Sequence, residues 1–303
     1  MGFAGGTIAL APDRARDALG RRVAAPLGLD AAQAALAVSE VVEENMANAA
    51  RVHAVERGKE LAGRTLIAFG GAAPLHAARL AAKLGIDRVL VPTAAGVGSA
   101  VGFLAAPVAY EVARSRYTRL DASFDAAAVN ALFAAMRAEA EAVVRAGAPD
   151  APLLETRSAE MRYTGQGHEI TVPLAAAGFD ALAVEDLLRR HAGAYREAFG
   201  LTLADLGVEV MNWTLRLTAA EDGPRAAPGA PPERLAADGT TREVFDAAAL
   251  RGVVYAVHLR ADLRPGNLVR GPALVAEPET TTLVPADRVA RVDSFGHLLL
   301  SPA

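Results

Sequence analysis

The chain has 303 residues, room for about two domains, and 52% of them are hydrophobic, which fills real cores and excludes wholesale disorder. With 31 basic against 35 acidic residues and a net charge of −4, it has no electrostatic reason to seek nucleic acid or anionic membranes. It has no cysteine, which excludes disulfides, thiolate metal sites, iron–sulfur clusters and a cysteine nucleophile. Aromatic residues make up only 5%, so the apolar mass is mostly Ala, Val and Leu, suited to Ala-rich helices packed on sheets. The opening Met1-Gly2-Phe3-Ala4-Gly5-Gly6 lacks the basic and apolar regions of a secretory signal, and Gly6 stands where a myristoylation motif needs Ser or Thr. No apolar run approaches the roughly 20 residues of a membrane span. A soluble, cytoplasmic protein is the expectation.

Residues Asp30 to about Arg57 read as a long helix capped by Asp30 and stopped by Gly58. Val38, Val41, Val42, Met46, Ala49 and Val52 recur on one stripe, with Glu40, Glu43, Glu44, Asn48 and Arg51 on other faces. Thr65–Phe69 has the length and character of a buried strand. It breaks at Gly70-Gly71-Ala72-Ala73, re-enters a helix at Pro74 that ends near Gly85, and returns as the strand Arg88–Val91. This β–turn–α–β grammar belongs to a parallel sheet. A glycine-rich segment, Ala94 to Gly102, leads to further helix and a strand over 108–117. Residues 124–145 form an amphipathic helix, with Phe124, Val129, Leu132, Phe133, Met136 and Val143 on or near one stripe. Two short strands joined by a glycine turn follow over 161–172, then a helix over 184–199 and a strand over 208–218. Residues 221–239, rich in Pro, Ala and Gly, read as a flexible surface loop, and the remainder is nearly all β. The fold class is α/β to about residue 118, then α+β.

The Gly70–Pro74 turn is the most informative constellation. It joins a strand to a helix N-terminus, where backbone N–H groups and the helix dipole favour an anion or a ligand's polar edge. No Ser, Thr, Asp or Asn caps that helix; a tight turn with nothing bound is the competing explanation. His76 can face either a site or the core. Gly96-x-Gly98-x-x-x-Gly102 departs from the dinucleotide spacing, and close packing through small residues explains it as well. Gly5-Gly6-Thr7 lacks the neighbouring acid of a phosphate-binding hairpin. Asn45 falls inside the apolar stripe, so its amide needs a partner in neighbouring backbone or a ligand. Tyr163, Thr164, Gln166, His168 and Glu169 crowd two glycines, as an exposed β-turn also would. The six histidines, at 53, 76, 168, 191, 258 and 297, show no metal-site spacing, and no serine-hydrolase, P-loop or kinase signature is present.

Several segments together resemble the hydantoinase A/oxoprolinase family, which includes the ATPase-type subunits of acetone and acetophenone carboxylases. They are 43–51 (EENMANAAR), 69–77 (FGGAAPLHA), Val91-Pro92 with Gly96 and Ser99-Ala100, 162–169 (RYTGQGHE), and 208–210 (VEV). Leu263-Arg264-Pro265-Gly266, Gly271-Pro272-Ala273 and 293–298 (DSFGHL) complete the set. The likeness covers essentially the whole chain and keeps the order of motifs. It implies part of an actin-like, ribonuclease-H-type ATPase lobe over residues 1–118 and a β-rich C-terminal α+β domain over 119–303. By the resemblance, ATP with Mg serves as cofactor. Gly70, Gly71, Ala72, Pro74 and His76 line the adenosine side of the cleft, and Asn45 and Met46 flank it.

The implied activity is hydrolysis of cyclic amides such as hydantoins, 5-oxoproline and lactams. The alternative is a non-catalytic structural subunit of an ATP-dependent carboxylase or hydrolase complex. A third reading, a free-standing dinucleotide-binding protein, would use Gly96–Gly102. The acidic phosphate hairpins of the family have no counterpart here. Phosphate and Mg ligands are therefore expected from an N-terminal ATPase lobe on another chain, alongside a larger B-type subunit. Ala73 stands where the family usually has Gly, and Ala198-Phe199-Gly200 replaces a more usual Tyr-Gly pair. An apolar face left open on residues 1–118 is a further expectation.

Overall fold

The computed structural model describes residues 2–3, 6–203, 206–220, 229, 231–237 and 239–303. The chain forms two compact units, Met1–Ala105 with Arg225–Ala303, and Ala106–Pro224. Among the described residues no helix is long and apolar enough to cross a membrane.

In the first unit, β1 (Gly2–Phe3) and β2 (Ile8–Ala9) pair antiparallel. Helix α1 (Pro12–Leu19) continues through a π-turn into α2 (Ala25–Leu27), which Gly28 closes in the left-handed region. Helix α3 (Ala31–Glu56) begins in a capping box: the Asp30 carboxylate accepts the Gln33 N–H at 2.8 Å, and the Gln33 side chain accepts the Asp30 N–H at 3.0 Å. Then come β3 (Thr65–Ile67), α4 (Ala73–Lys83) and β4 (Arg88–Val91), with β3 and β4 parallel and Leu66 opposite Val89, as the β–turn–α–β pattern requires. Gly85, at φ 66°, ends α4. A 3₁₀ turn, Ala95–Val97, opens onto α5 (Gly98–Leu104).

The second unit contains β5 (Ala109–Arg119), α6 (Ala126–Gly147), β6 (Leu153–Tyr163), β7 (Ile170–Leu174), α7 (Ala183–Phe199) and β8 (Val208–Ala219). Its sheet runs β5-β8-β6-β7, antiparallel throughout. Val129, Phe133 and Met136 of α6 pack with Trp213, Leu215 and Leu217 of β8 in one core. The sequence pattern shows only the end of β6. Its inward residues include Glu155 and Arg157, which bond each other at 2.6 Å, and the Arg157 guanidinium lies 4.5 Å from the Phe133 ring centroid. A partly buried ion pair in an otherwise apolar row hides the alternation that marks a strand.

The chain then returns to the first unit with β9 (Arg234–Leu235), β10 (Thr240–Asp246), β11 (Arg251–Leu259), β12 (Asn267–Arg270), β13 (Ala273–Ala276), β14 (Thr281–Val284), β15 (Arg288–Val292) and β16 (Leu298–Pro302). Of the stretch expected as a loop, residues 221–228, 230 and 238 lie outside the described residues; Arg234–Leu235 pairs with Asn267–Leu268. A six-stranded mixed sheet runs β3-β4-β16-β15-β12-β9, and a four-stranded one runs β10-β11-β13-β14. Both contribute to one core, with Val89, Val91, Val275, Val284, Leu298 and Leu300 around Ala77, Ala78 and Ala81 of α4. Small residues on α4 let the helix sit close to β14 and β4. Compactness therefore divides the chain differently from the sequential boundary at 118/119, because the last strand, β16, pairs antiparallel with β4.

Candidate functional site

The turn after β3 is held from two sides. Gly70 adopts φ 107°, a conformation that favours glycine, and its N–H donates to the Ala95 carbonyl at 2.6 Å. The Gly71 carbonyl accepts from the Thr280 hydroxyl at 3.0 Å, which fastens the turn to the β13–β14 connection. Helix α4 begins at Ala73 with Ala72 at its cap and no side chain bonding its first N–H groups. Pro74 has no N–H and the Leu75 N–H bonds the Ala72 carbonyl at 3.1 Å, so Ala73 carries the first N–H of the helix without a side-chain cap. A recess of about 190 Å³ beside it is lined by Gly71, Leu75, Glu277, Pro278, Glu279, Thr280 and Thr281.

The second glycine segment serves this packing. A Cβ on Gly96 would lie 2.4 Å from Cβ of Glu279, and one on Gly98 would lie 3.3 Å from Phe69. Both glycines are accounted for by close approach.

Behind the recess, Oε1 of Glu277 and Nη1 of Arg260 are buried without hydrogen-bond partners among the described residues. Burial pushes the Glu277 carboxyl up, against the attraction of Arg260, and pushes the Arg260 guanidinium down, against Glu277 and Asp293.

One turn along α4, His76 faces a larger groove of about 420 Å³ between α3, α4, the end of β10 and β14. Its walls are largely aliphatic, including Leu36, Leu75, Ala78 and Leu283. A polar network crosses it. Glu43, only 2% exposed, meets His76 Nδ1 at 3.1 Å and accepts from Arg79 Nε at 2.8 Å. Because a carboxylate only accepts, Nδ1 carries the proton in that bond, and Nε2 of a neutral His76 presents a lone pair. Arg79 and Lys83 also bridge to Glu40, and Lys83 reaches Glu44 at 3.2 Å. Hydrogen bonding to Lys83, then Arg79, holds the Glu40 carboxyl low against its partial desolvation. On the opposite wall Tyr255 donates to Asp246; burial first and that carboxylate second push the Tyr255 phenol far up. Among the described residues no group of three or more His, Asp or Glu gathers as a metal site.

Gly70, Gly71, Ala72 and Pro74 thus form one continuous turn, and His76 stands in the adjoining groove. Asn45 is exposed and Met46 half-buried, and neither lines the recess or the groove. Asn45 is not the buried amide that its place in the apolar stripe suggests, because that stripe faces outward. The residue of α3 that does turn inward is Glu43. Its partners are not local in sequence: Glu40, Glu43 and Glu44 meet His76, Arg79 and Lys83 of the following helix. Glu277 and Arg260 carry no local signal.

The hydantoinase/oxoprolinase model matches residues 2–112, and the hydantoinase/oxoprolinase C-terminal domain model matches residues 122–301. The chain belongs to the hydantoinase/oxoprolinase family. It is 27% identical to the caprolactamase subunit alpha of Pseudomonas jessenii, over 98% of this chain and 44% of that one. It is 26% identical to the acetone carboxylase beta subunit of Xanthobacter autotrophicus, over 93% of this chain and 41% of that one. The crystal structure of ATP-dependent caprolactamase from P. jessenii superposes with a TM-score of 0.76 at 26% identity, covering 100% of this chain and 45% of that one. The chain therefore spans less than half the length of these relatives.

Proposed function

We propose that this chain forms one wall of the nucleotide cleft in an ATP-dependent cyclic-amide hydrolase of the hydantoin, 5-oxoproline or lactam type. In this reading residues 1–118 belong to an actin-like ATPase lobe and residues 119–303 to the C-terminal domain. The observation that carries it is the uncapped N-terminus of α4 behind Gly70-Gly71, fastened by Thr280, in a chain that superposes along its whole length on an ATP-dependent caprolactamase.

The recess suits the nucleoside end of ATP better than its phosphates. The uncapped start of α4 and Leu75 offer a polar edge and an apolar surface, whereas Glu277 and Glu279 would repel a triphosphate. Gly70, Gly71, Ala72 and Pro74 would hold the adenosine side, with His76 one turn further on. Asn45 and Met46 would flank the cleft from α3. When bound, ATP supplies the phosphoryl group that activates an amide oxygen. Phosphate and Mg ligands fall to the part of the relatives this chain does not match, on another polypeptide or a longer one, and a larger B-type subunit is the further partner. Alone, the chain would not turn ATP over, since phosphoryl transfer depends on positioning and charge stabilisation by those groups.

The match to the acetone carboxylase beta subunit over most of the chain favours a second reading, a structural subunit of a carboxylase complex. Nucleotide titration separates the two. The hydrolase reading expects ATP binding that strengthens when the remaining lobe is supplied and is lost in Gly71→Asp, which sets a carboxylate in the recess. The structural-subunit reading expects no binding, and unchanged binding in Gly71→Asp would remove the turn from the site.

A further inference from the structure

The groove at His76 carries polar groups that the clamp between α3 and α4 does not use up. Glu43 is already anchored to α4 by Arg79 Nε at 2.8 Å. His76 sets Nδ1 against the same carboxylate at 3.1 Å, and its Nε2 has no hydrogen-bond partner among the described residues. Arg79 gives Nε to Glu43 and Nη2 to Glu40, and its Nη1 likewise bonds nothing among the described residues. Both side chains line the groove, and positions 76 and 79 are neighbours on one face of α4. With His76 neutral, an open acceptor and an open donor stand side by side. An amide carries the complementary pair.

The other walls decide what the amide is attached to. Ala35, Leu36, Leu75, Ala78, Val244 and Leu283 make the lining aliphatic. Asp246 is filled by the Tyr255 hydroxyl and the N–H groups of Ala248 and Ala249, and Asp287 is exposed to water. A cation finds no open carboxylate inside to offset its lost hydration. An anion meets Glu43, Asp246 and Asp287, while Arg79 is already shared between Glu40 and Glu43. The ligand that fits is uncharged. The bonds to Asp246 also fix the turn after β10, and Tyr255 is fully buried, so this wall stands before anything binds. A volume of about 420 Å³ lies in the range of small-molecule sites.

We infer that the groove is a second ligand site, separate from the nucleotide recess, for an uncharged cyclic amide with an aliphatic ring. The lactam N–H donates to His76 Nε2, its carbonyl accepts from Arg79 Nη1, and the ring lies on the aliphatic wall. A ring holds N–H and C=O on one edge, whereas the trans amide of an open chain points them apart. Of the cyclic amides named above, the groove takes neutral lactams and turns away anionic 5-oxoproline. It shares only Leu75 with the recess. Calling the bound lactam a substrate rests on the functional reading above; the binding site does not.

The test is titration of the full 303-residue chain, followed by calorimetry, at about pH 8, above the free histidine value. The probes are rings of matched size: δ-valerolactam, its N-methyl form, piperidinium and cyclohexanecarboxylate. The lactam should bind saturably, the N-methyl form about fivefold more weakly for want of its N–H, and the charged rings more weakly still. His76→Leu keeps the aliphatic wall and the Arg79–Glu43 bond. It should leave thermal melting unchanged, weaken the lactam about fivefold and erase the difference between the lactam and its N-methyl form. Ala35 is exposed on the groove wall, so Ala35→Trp leaves the core intact and should weaken every probe.

Absent lactam binding, equal binding of the N-methyl form, or binding indifferent to both substitutions would overturn the inference. ATP titration of the same chain keeps the two claims apart. Lactam binding without ATP binding would sink the nucleotide reading and leave this one standing, and ATP binding without lactam binding would do the reverse.

Discussion

Helices α3 and α6 look alike on paper. They have 26 and 22 residues, each begins at an aspartate whose side chain accepts an N–H three residues on, and each carries an apolar stripe. α6 turns its stripe inward, burying Val129, Phe133, Met136, Ala140 and Val144, whereas α3 turns Glu43 inward and its valines out. The difference teaches that hydrophobic periodicity fixes that a helix has a face to bury, but not whether the same chain buries it.

The sharpest way to break this contrast is to cut into both stripes of the isolated chain. Phe133→Ala should cost the second unit about 3–5 kcal/mol, read by denaturant unfolding through the single tryptophan, Trp213, whose ring centroid lies 5.8 Å from that of Phe133. Val41→Lys should stay within about 0.5 kcal/mol by circular dichroism. Comparable losses at the two sites would end the distinction.

The inward face of α3 supplies the next largest effect. Arg79→Ala leaves the buried Glu43 carboxylate without its guanidinium and should cost about 3 kcal/mol. Replacing Glu43 and Arg79 together by Met should cost clearly less. If the double variant is as unstable as the single one, the network is not what seats α3 on α4.

A polar group inside the apolar core of the second unit behaves differently. His191 is 1% exposed, its Nε2 has no partner among the described residues, and burial pushes its pKa down. The folded state keeps it neutral while the unfolded chain takes up a proton near pH 6.5. Its contribution to stability is therefore complete above that pH and declines as pH falls, by at most about 1.4 kcal/mol per unit. His191→Leu should flatten this slope in unfolding curves between about pH 7 and pH 5, the window around the free histidine value. An unchanged slope would assign the dependence to other groups.

The smallest effects should be equal. Asp30→Ala and Asp125→Ala should each cost about 1 kcal/mol, because both caps satisfy helix N–H groups in the same way. A large difference between them would mean that end effects, not facing, separate the two helices.

What could be read from sequence follows from how local each signal is. The β3–turn–α4–β4 unit and the Asp30 cap were legible because neighbouring residues carry them. β6 was hidden by an ion pair among its inward residues, and the facing of α3 by a network with α4 that lies 33 to 43 residues away in sequence. The turn at Gly70-Gly71 announced itself. Its other wall, Glu277 to Thr281, did not, because about two hundred residues and the return of the chain to its first unit separate them.

The central claim is that this chain works as one part of an ATP-dependent assembly. The most direct measurement is intact-complex mass spectrometry of the chain purified from its own cells. The account predicts recovery with the remaining ATPase lobe, as a separate polypeptide or a longer form of this one, together with a larger B-type subunit. Recovery of the 303-residue chain alone, with no nucleotide bound, would contradict it.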